Sequence, residues 1–307
     1  MASSKNSSST IEKVAVIGAG VQGAQIAFRC ALYGKTTSVF DTNPETLKAA
    51  EGKIQAWLRE RVGSGMMNDK ECDAVYRRLR FCASLSESLD GVGLAIEVVP
   101  ERLDLKIRVW EEIDRAAAPD MMLTTNSSSL KSSSIYVNIS DERKSKTFNL
   151  NFMTPVKDDL VEVMWNGSTS DETREAAMTF LNDLKLVPIV TKKEIKGFSH
   201  NRVWRAIKKE TLKLWSQDYC DYEDLDRAFM LEFGTEFGPF GLMDTVGLDV
   251  IRDIENSYFS ESGDPSDKPP GKLLELIEAG KLGRKSGEGF YKYPDPVYHS
   301  RDWLYKK

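Results

Sequence analysis

Residues 13–23 read KVAVIGAGVQG, and no other stretch narrows the possible folds as far. Lys13 to Ile17 is a short run rich in β-branched residues. The glycines follow at once, and AQIAFRCALYG continues with apolar residues at helical intervals. Strand, glycine turn and helix in that order open a βαβ unit. Gly18, Gly20 and Gly23 stand at G-x-G-x-x-G spacing. Gly18 permits the tight turn, Gly20 lets the backbone approach a pyrophosphate, and Gly23 lets the helix pack closely on the strand. The helix start then offers free N–H groups and the positive end of its dipole. Gly18, Gly20, Val21, Gln22 and Gly23 are therefore the candidate phosphate-binding positions.

A second apolar strand, TTSVFD, ends in Asp41, 18 residues after Gly23. That is the place for an acid that accepts the adenosine ribose hydroxyls. The next residues, TNPE, contain no Arg or Lys to receive a 2′-phosphate, so the reading is NAD(H) rather than NADP(H). The competing reading is a glycine turn that binds nothing. The agreement of strand, glycines, helix and distal Asp weighs against it.

The pattern then repeats. Leu47, Ile54, Leu58, Val62, Val75 and Leu79 recur at helical intervals and predict one or two helices over 45–80. GLAIEVVPE and MMLTTN read as buried strands, with the amphipathic LKIRVWEEIDRAA between them. Strands alternating with helices predict a parallel doubly wound, Rossmann-type α/β sheet. The texture becomes helical from GFSHNRVWRAIKKETLKLW onward. The expected organisation is a disordered tail over 1–10, a dinucleotide-binding domain over 11–195 and an all-α domain over 196–307.

A chain of 307 residues, 41% hydrophobic, fits two domains of ordinary size. No stretch is apolar for long enough to span a bilayer. A net charge of −5 offers no electrostatic reason to bind nucleic acid. Cys30, Cys72, Cys82 and Cys220 are scattered without a CxxC pair, which favours a reducing compartment and a cytoplasmic location. MASSKNSSST lacks the apolar segment of a signal peptide. With His200 and His299 as the only histidines, a histidine-rich metal centre is not expected.

Three places carry candidate chemistry. Asn126 to Ser129 follow a strand end, where the ligand crevice of an open α/β sheet lies. A serine there either donates to a substrate oxygen or caps a helix. Glu162 sits inside the apolar strand LVEVM and either faces solvent by strand alternation or is a buried acid that orients a catalytic group. The third place is LNFMTP, headed by Asn151.

These pieces together resemble the 3-hydroxyacyl-CoA dehydrogenase family. They are GAGVQG with Asp41, EVVPE, TTNSSSL, LNFMTP with LVEVM, GFSHNR, FGPFGLMDTVGLD and GKLGRKSGEGFYKY, in family order from about residue 11 to 293. The family includes acyl-CoA enzymes, lambda-crystallin-like gulonate dehydrogenases and diketone reductases. The resemblance implies a small-molecule substrate and a homodimer formed through the helical domain. It implies that Ser128 binds the substrate oxygen, that Asn201 holds the substrate, and that Glu162 orients a catalytic histidine. It further implies that Glu101 and Lys106 lie near the nicotinamide, with Asn126 beside the cofactor.

The family motif carries its general acid–base histidine where this chain has Asn151. An amide donates and accepts hydrogen bonds but does not exchange a proton near neutral pH. Four readings follow. Another group serves, Glu162 or His200. The substrate is a protonated imine that needs no strong acid. The proton runs through Ser128 and water. Or the protein binds NAD without redox chemistry. His200 has its own bland reading, a helix-start residue satisfied by backbone.

The stretch between Asp41 and GLAIEVVPE reads as shorter than the helical clasp of the acyl-CoA enzymes, which favours a small hydroxy or keto acid or an amine-like substrate. Lys53, Arg59, Arg61 and the RAIKK run either meet an anionic substrate or form solvated helix faces. Phe240, Met243 and Leu248 are candidates for the far wall of the site. The C-terminal YPDPVYHSRDWLYKK packs on a partner subunit or stays loose.

Overall fold

The structure is a computed structural model and describes residues 10–153 and 159–306. It falls into two compact units, one ending at Ser199 and the other beginning at His200.

In the first unit β1 (Lys13–Ile17) passes through the glycine turn into α1 (Val21–Leu32), and β2 (Thr36–Phe40) follows. α2 (Pro44–Gly63) starts where the Asn43 side chain accepts the Glu45 N–H and Pro44 takes a first-turn position that has no use for an N–H. α3 (Asp69–Tyr76) is closed at its start by a capping box between Asn68 and Glu71. The periodicity over 45–80 is thus two helices. Next come β3 (Leu79–Phe81), β4 (Leu94–Glu97), α4 (Leu103–Ala116) and β5 (Met122–Thr125). β6 (Thr147–Phe152), β7 (Leu160–Met164), α5 (Asp171–Asp183) and β8 (Val187–Thr191) complete the order.

The eight described strands form one sheet in the order β3-β2-β1-β4-β5-β6-β7-β8. Neighbours among the first six are parallel. β6 and β7 are antiparallel, and β8 runs with β7. The last two strands therefore depart from the all-parallel sheet expected. The cause is chain length: seven residues, 153–159, separate β6 from β7. A parallel return needs about a dozen or more.

Strand alternation sorts side chains into two cores. Val14 and Val16 pack with α1 and α2, while Ala15 and Ile17 join Leu123, Trp110 and Ile113 on the other face. On β6 and β7, Phe148, Leu150, Phe152, Val161 and Val163 enter the first core. Asn149, Asn151 and Glu162 consequently point to the opposite face. β8 closes one end of the sheet, with Val187, Ile189 and Val190 exposed on either side of Pro188.

The helical part runs through α6 (Phe198–Ser216), α7 (Tyr222–Phe233), α8 (Pro239–Val246), α9 (Leu248–Ser262) and α10 (Gly271–Glu278). Phe240, Met243 and Leu248 are fully buried in the core of the second unit with Leu212, Ile251 and Leu273. They are packing residues and not the wall of a site. Asp226 and Asp244 are buried knots in this core. Asp226 accepts from Phe240 N, Gly241 N and the Tyr291 hydroxyl. Asp244 accepts from Phe290 N, Tyr291 N and the Tyr293 hydroxyl.

The RAIKK run is also absorbed internally. Lys208 pairs with Glu255 at 2.6 Å, and Arg205 and Lys209 both reach Asp267. Lys53 and Arg59 are exposed, and the Arg61 guanidinium stands 5.7 Å from the centre of the Phe28 ring. The C-terminal tail packs on its own unit: the Trp303 carbonyl accepts from Arg227 Nε, and Tyr298 is buried in the core.

Candidate active site

The glycine turn has the geometry its spacing predicts. Gly18 has φ +108°, and a Cβ there would meet the Val98 carbonyl oxygen at 2.7 Å. A Cβ at Gly23 would fall 1.9 Å from the Gly18 carbonyl oxygen. Gly20 is different, because nothing lies within 4 Å of its Cβ position. Gly18 and Gly23 are required by the protein's own packing, whereas the space at Gly20 is open to a ligand. Asp41 stands at the end of β2. One carboxylate oxygen accepts from Ala19 N at 2.8 Å and the other from Asn43 N at 2.9 Å, so the acid and the turn hold each other.

Val21 is exposed, with 60% of its surface free, beside the turn. The Gln22 side chain leaves the turn and donates from Nε2 to the Phe152 carbonyl at 2.7 Å. Asn126, just past β5, accepts from Phe152 N at 2.9 Å. Two residues singled out for the cofactor thus grip the last residue of β6.

The ends of β4 and β5 are joined by a buried ionic network. Glu97 and Lys106 are 0% and 1% exposed and pair at 2.7 Å. The remaining capacity of Glu97 is filled by Val99 N and the Thr125 hydroxyl, and Lys106 also donates to the Val99 carbonyl. Lys106 lies 3.3 Å from Glu101, so its ammonium is enclosed by protein groups. Glu101 in turn accepts from the hydroxyls of Ser127 and Ser129 and from Ser129 N. Burial opposes ionisation of Glu101, but these hydrogen bonds and the Lys106 charge outweigh it and hold the carboxyl below its usual range. Ser128 lies between the two anchored serines and is exposed. Its neighbours are fixed and its own hydroxyl is left to solvent or a ligand.

Asn151 and Glu162 are cross-strand partners in the β6–β7 register. Asn151 Nδ2 lies 3.4 Å from Glu162 Oε2, and the Ser199 hydroxyl donates to Glu162 Oε1 at 3.0 Å. Glu162 is 0% exposed, which decides between its two readings: the face it shares with Asn151 is covered. Phe198, buried and just before Ser199, holds φ +52°, a left-handed conformation that costs a non-glycine residue energy. His200 and Asn201 follow on α6 at the start of the second unit, exposed and half-buried respectively.

Known proteins resemble this chain along most of its length. The sequence model described as 3-hydroxyacyl-CoA dehydrogenase, NAD binding domain, matches residues 13–195, and the model of that family's C-terminal domain matches residues 197–293. The chain belongs to the 3-hydroxyacyl-CoA dehydrogenase family. A probable 3-hydroxyacyl-CoA dehydrogenase of Caenorhabditis elegans is 33% identical over 292 residues, 93% of this chain and 94% of that protein. A 3-hydroxybutyryl-CoA dehydrogenase of Mycobacterium tuberculosis is 30% identical over 288 residues, 93% of this chain and 100% of that protein. Among solved structures, a diketoreductase superposes with a TM-score of 0.83 at 29% identity, covering 93% of this chain and 100% of the other.

As in the rest of the family, the first domain is built for NAD. The rigid turn at Gly18 and Gly23, the open space at Gly20 and the acid at the end of β2 fit a dinucleotide. Among the described residues no group of His, Cys, Asp or Glu is placed to hold a metal ion, and no helix is long and apolar enough to cross a membrane.

Reading residues alone passed over Glu97 and Ser199, and it did not separate Ser127 and Ser129 from Ser128. Glu97 carried a signal, a carboxylate inside the apolar strand LAIE. Ser127 and Ser129 are indistinguishable in sequence from Ser128, and only their bonds to Glu101 separate them. Thr154 and Pro155 of LNFMTP lie outside the described residues.

Proposed function

We propose that this member of the 3-hydroxyacyl-CoA dehydrogenase family is an NAD(H)-dependent oxidoreductase acting on a 3-hydroxy or 3-keto acid, its acyl-CoA, or a related small carbonyl compound, with a proton route that does not pass through residue 151. The observation that carries this reading is the buried pair of Asn151 and Glu162 on one face of the sheet, 3.4 Å apart. Bound NAD(H) supplies or accepts the hydride. The exposed Ser128 hydroxyl, with Ser127 and Ser129 tied to Glu101, donates to the substrate oxygen. Asn151 orients that oxygen and leaves the proton to another group, because an amide does not titrate near neutral pH.

Three carriers are open to that proton. Glu162 is a titratable group within hydrogen-bonding distance of Asn151 on the same sheet face. His200 is joined by a peptide bond to Ser199, whose hydroxyl holds Glu162. Water relayed through Ser128 is the third. A second reading draws on the same pair. A carboxylate beside a neutral amide suits a protonated imine, which already carries its proton and needs charge stabilisation and orientation.

We further propose that a homodimer forms through the second unit, where the apolar Val203, Leu231 and Phe233 are exposed, and light scattering on the eluted protein reads the oligomeric state.

The test is NADH oxidation, followed optically between about pH 6 and 9, against acetoacetyl-CoA, small 3-keto acids, diketones and cyclic imines. Turnover of carbonyls supports the first reading, and loss of the pH dependence in Glu162→Gln or His200→Phe names the carrier. Turnover of imines alone supports the second. Tight NADH binding without turnover anywhere overturns both and leaves a cofactor-binding protein without redox chemistry.

A further inference from the structure

Phe152 is the last residue of β6 and is 1% exposed. On one side its ladder has run out: β5 ends at Thr125, which pairs with Asn149. A buried backbone N–H and C=O still need partners. Two side-chain amides supply them in place of a strand. Asn126 Oδ1 accepts from Phe152 N at 2.9 Å, and Gln22 Nε2 donates to the Phe152 carbonyl at 2.7 Å.

Ladder completion alone explains Asn126, which continues directly from β5. It does not explain why the second amide comes from 130 residues away, on the first turn of the helix that the glycine loop opens. The backbone of that turn is where a dinucleotide phosphate is held. The residue gripped at the other end is bonded to Asn151.

We infer that Gln22 is a positioning residue that couples occupancy of the glycine loop to the placement of Asn151. A dinucleotide that fixes the first turn of α1 also fixes the Gln22 side chain, the end of β6 and the pairing of Asn151 with Glu162. Substrate then meets a formed polar face only after the cofactor is in place, which makes binding ordered. The inference rests on the NAD(H) reading above and concerns the Gln22 side chain. The contact assigned to residue 22 for the cofactor is its backbone N–H.

The experiment is hydrogen exchange by mass spectrometry on the full chain, following the peptide that spans residues 147–153 with and without NADH. It compares wild type with Gln22→Met and Gln22→Leu, both of similar size and without a donor. NADH is expected to slow exchange of this peptide by about threefold or more in wild type and to leave it unslowed in both variants. A fluorescence titration of each protein sets the NADH concentration at saturation, so that the exchange comparison is made between fully occupied proteins. Slowing that persists in the variants overturns the coupling. A loss of affinity of about tenfold or more in a variant that keeps its wild-type melting temperature also overturns it, since the side chain is then a cofactor contact. Absence of NADH binding by wild type overturns the cofactor reading itself, and the wild-type titration alone tells that outcome from the others. If one variant unfolds, the other carries the comparison.

Discussion

Asn151 and Glu162 face each other across β6 and β7, in register and 3.4 Å apart, with the carboxylate fully enclosed. The amide of Asn151 can donate and accept hydrogen bonds in this position, but it does not itself exchange a proton near neutral pH.

Asn151→His is expected to raise NAD-dependent oxidation of 3-hydroxy acids or 3-hydroxyacyl-CoA at least tenfold, toward the ~10²–10⁴-fold that general acid–base catalysis commonly supplies. NADH formation in steady state reads it. No gain means that the surrounding pocket, and not only the acid–base group, differs from what oxidation needs.

The glycines give a sharper contrast. Gly23→Ala drives a methyl group to 1.9 Å from a backbone oxygen and is expected to lower the melting temperature strongly or prevent folding. Gly20→Ala meets no atom within 4 Å and should melt like wild type. It should nonetheless weaken NADH binding by roughly tenfold or more, because the methyl group enters the space the pyrophosphate needs. Calorimetry and a fluorescence titration of the two variants check both statements. An unchanged affinity in Gly20→Ala would remove the glycine loop from the site.

Lys106→Met leaves Glu97 as a buried carboxylate without its ammonium partner. Breaking such a pair by removing one member costs about 3–5 kcal/mol. Urea unfolding should show a loss of that size. The double variant Glu97→Gln/Lys106→Met should recover part of it, since the uncompensated charge is then gone.

Asp226 provides a pH test in the helical unit. Burial pushes its carboxyl up to about 6, well above the ordinary aspartate range, against the hydrogen bonds from Phe240 N, Gly241 N and Tyr291, and the nearby Asp244 adds to the rise. The folded form then binds a proton that the unfolded form has released. The contribution of Asp226 to stability is greatest below about pH 4, declines through the window up to about 6, and is absent above it. Chemical unfolding at several values across that window should show the decline, and Asp226→Asn should flatten it while lowering stability throughout, because one acceptor becomes a donor facing a backbone N–H. A slope that is unchanged in Asp226→Asn assigns the effect elsewhere.

The parts of this protein that were legible in sequence are those governed by neighbours along the chain. KVAVI alternates between two cores because strand geometry demands it, and G-x-G-x-x-G at a strand end leaves few conformations open. The parts that were not legible depend on residues far apart. Glu162 read equally well as an outward residue, because alternation fixes which face it takes but not whether that face is covered. The reversed β7 and β8 followed from the shortness of one connection, not from anything in the strands themselves. RAIKK looked like a basic surface until Glu255 and Asp267, some 50 residues on, supplied its counter-charges. Ser128 stands out from its neighbours only because Glu101 binds the serines on either side of it.

Pro188 has a consequence beyond the strand it occupies. β8 ends the sheet with Val187, Ile189 and Val190 in the open, a surface on which another extended chain would find both apolar contacts and backbone partners. A proline in that outermost strand interrupts the row of donors such a chain would need. Pro188→Val restores the row, and light scattering during refolding should record more association. The proline at the margin of the sheet is in that sense a guard against self-assembly, kept in an edge strand where its missing N–H deprives only a stranger.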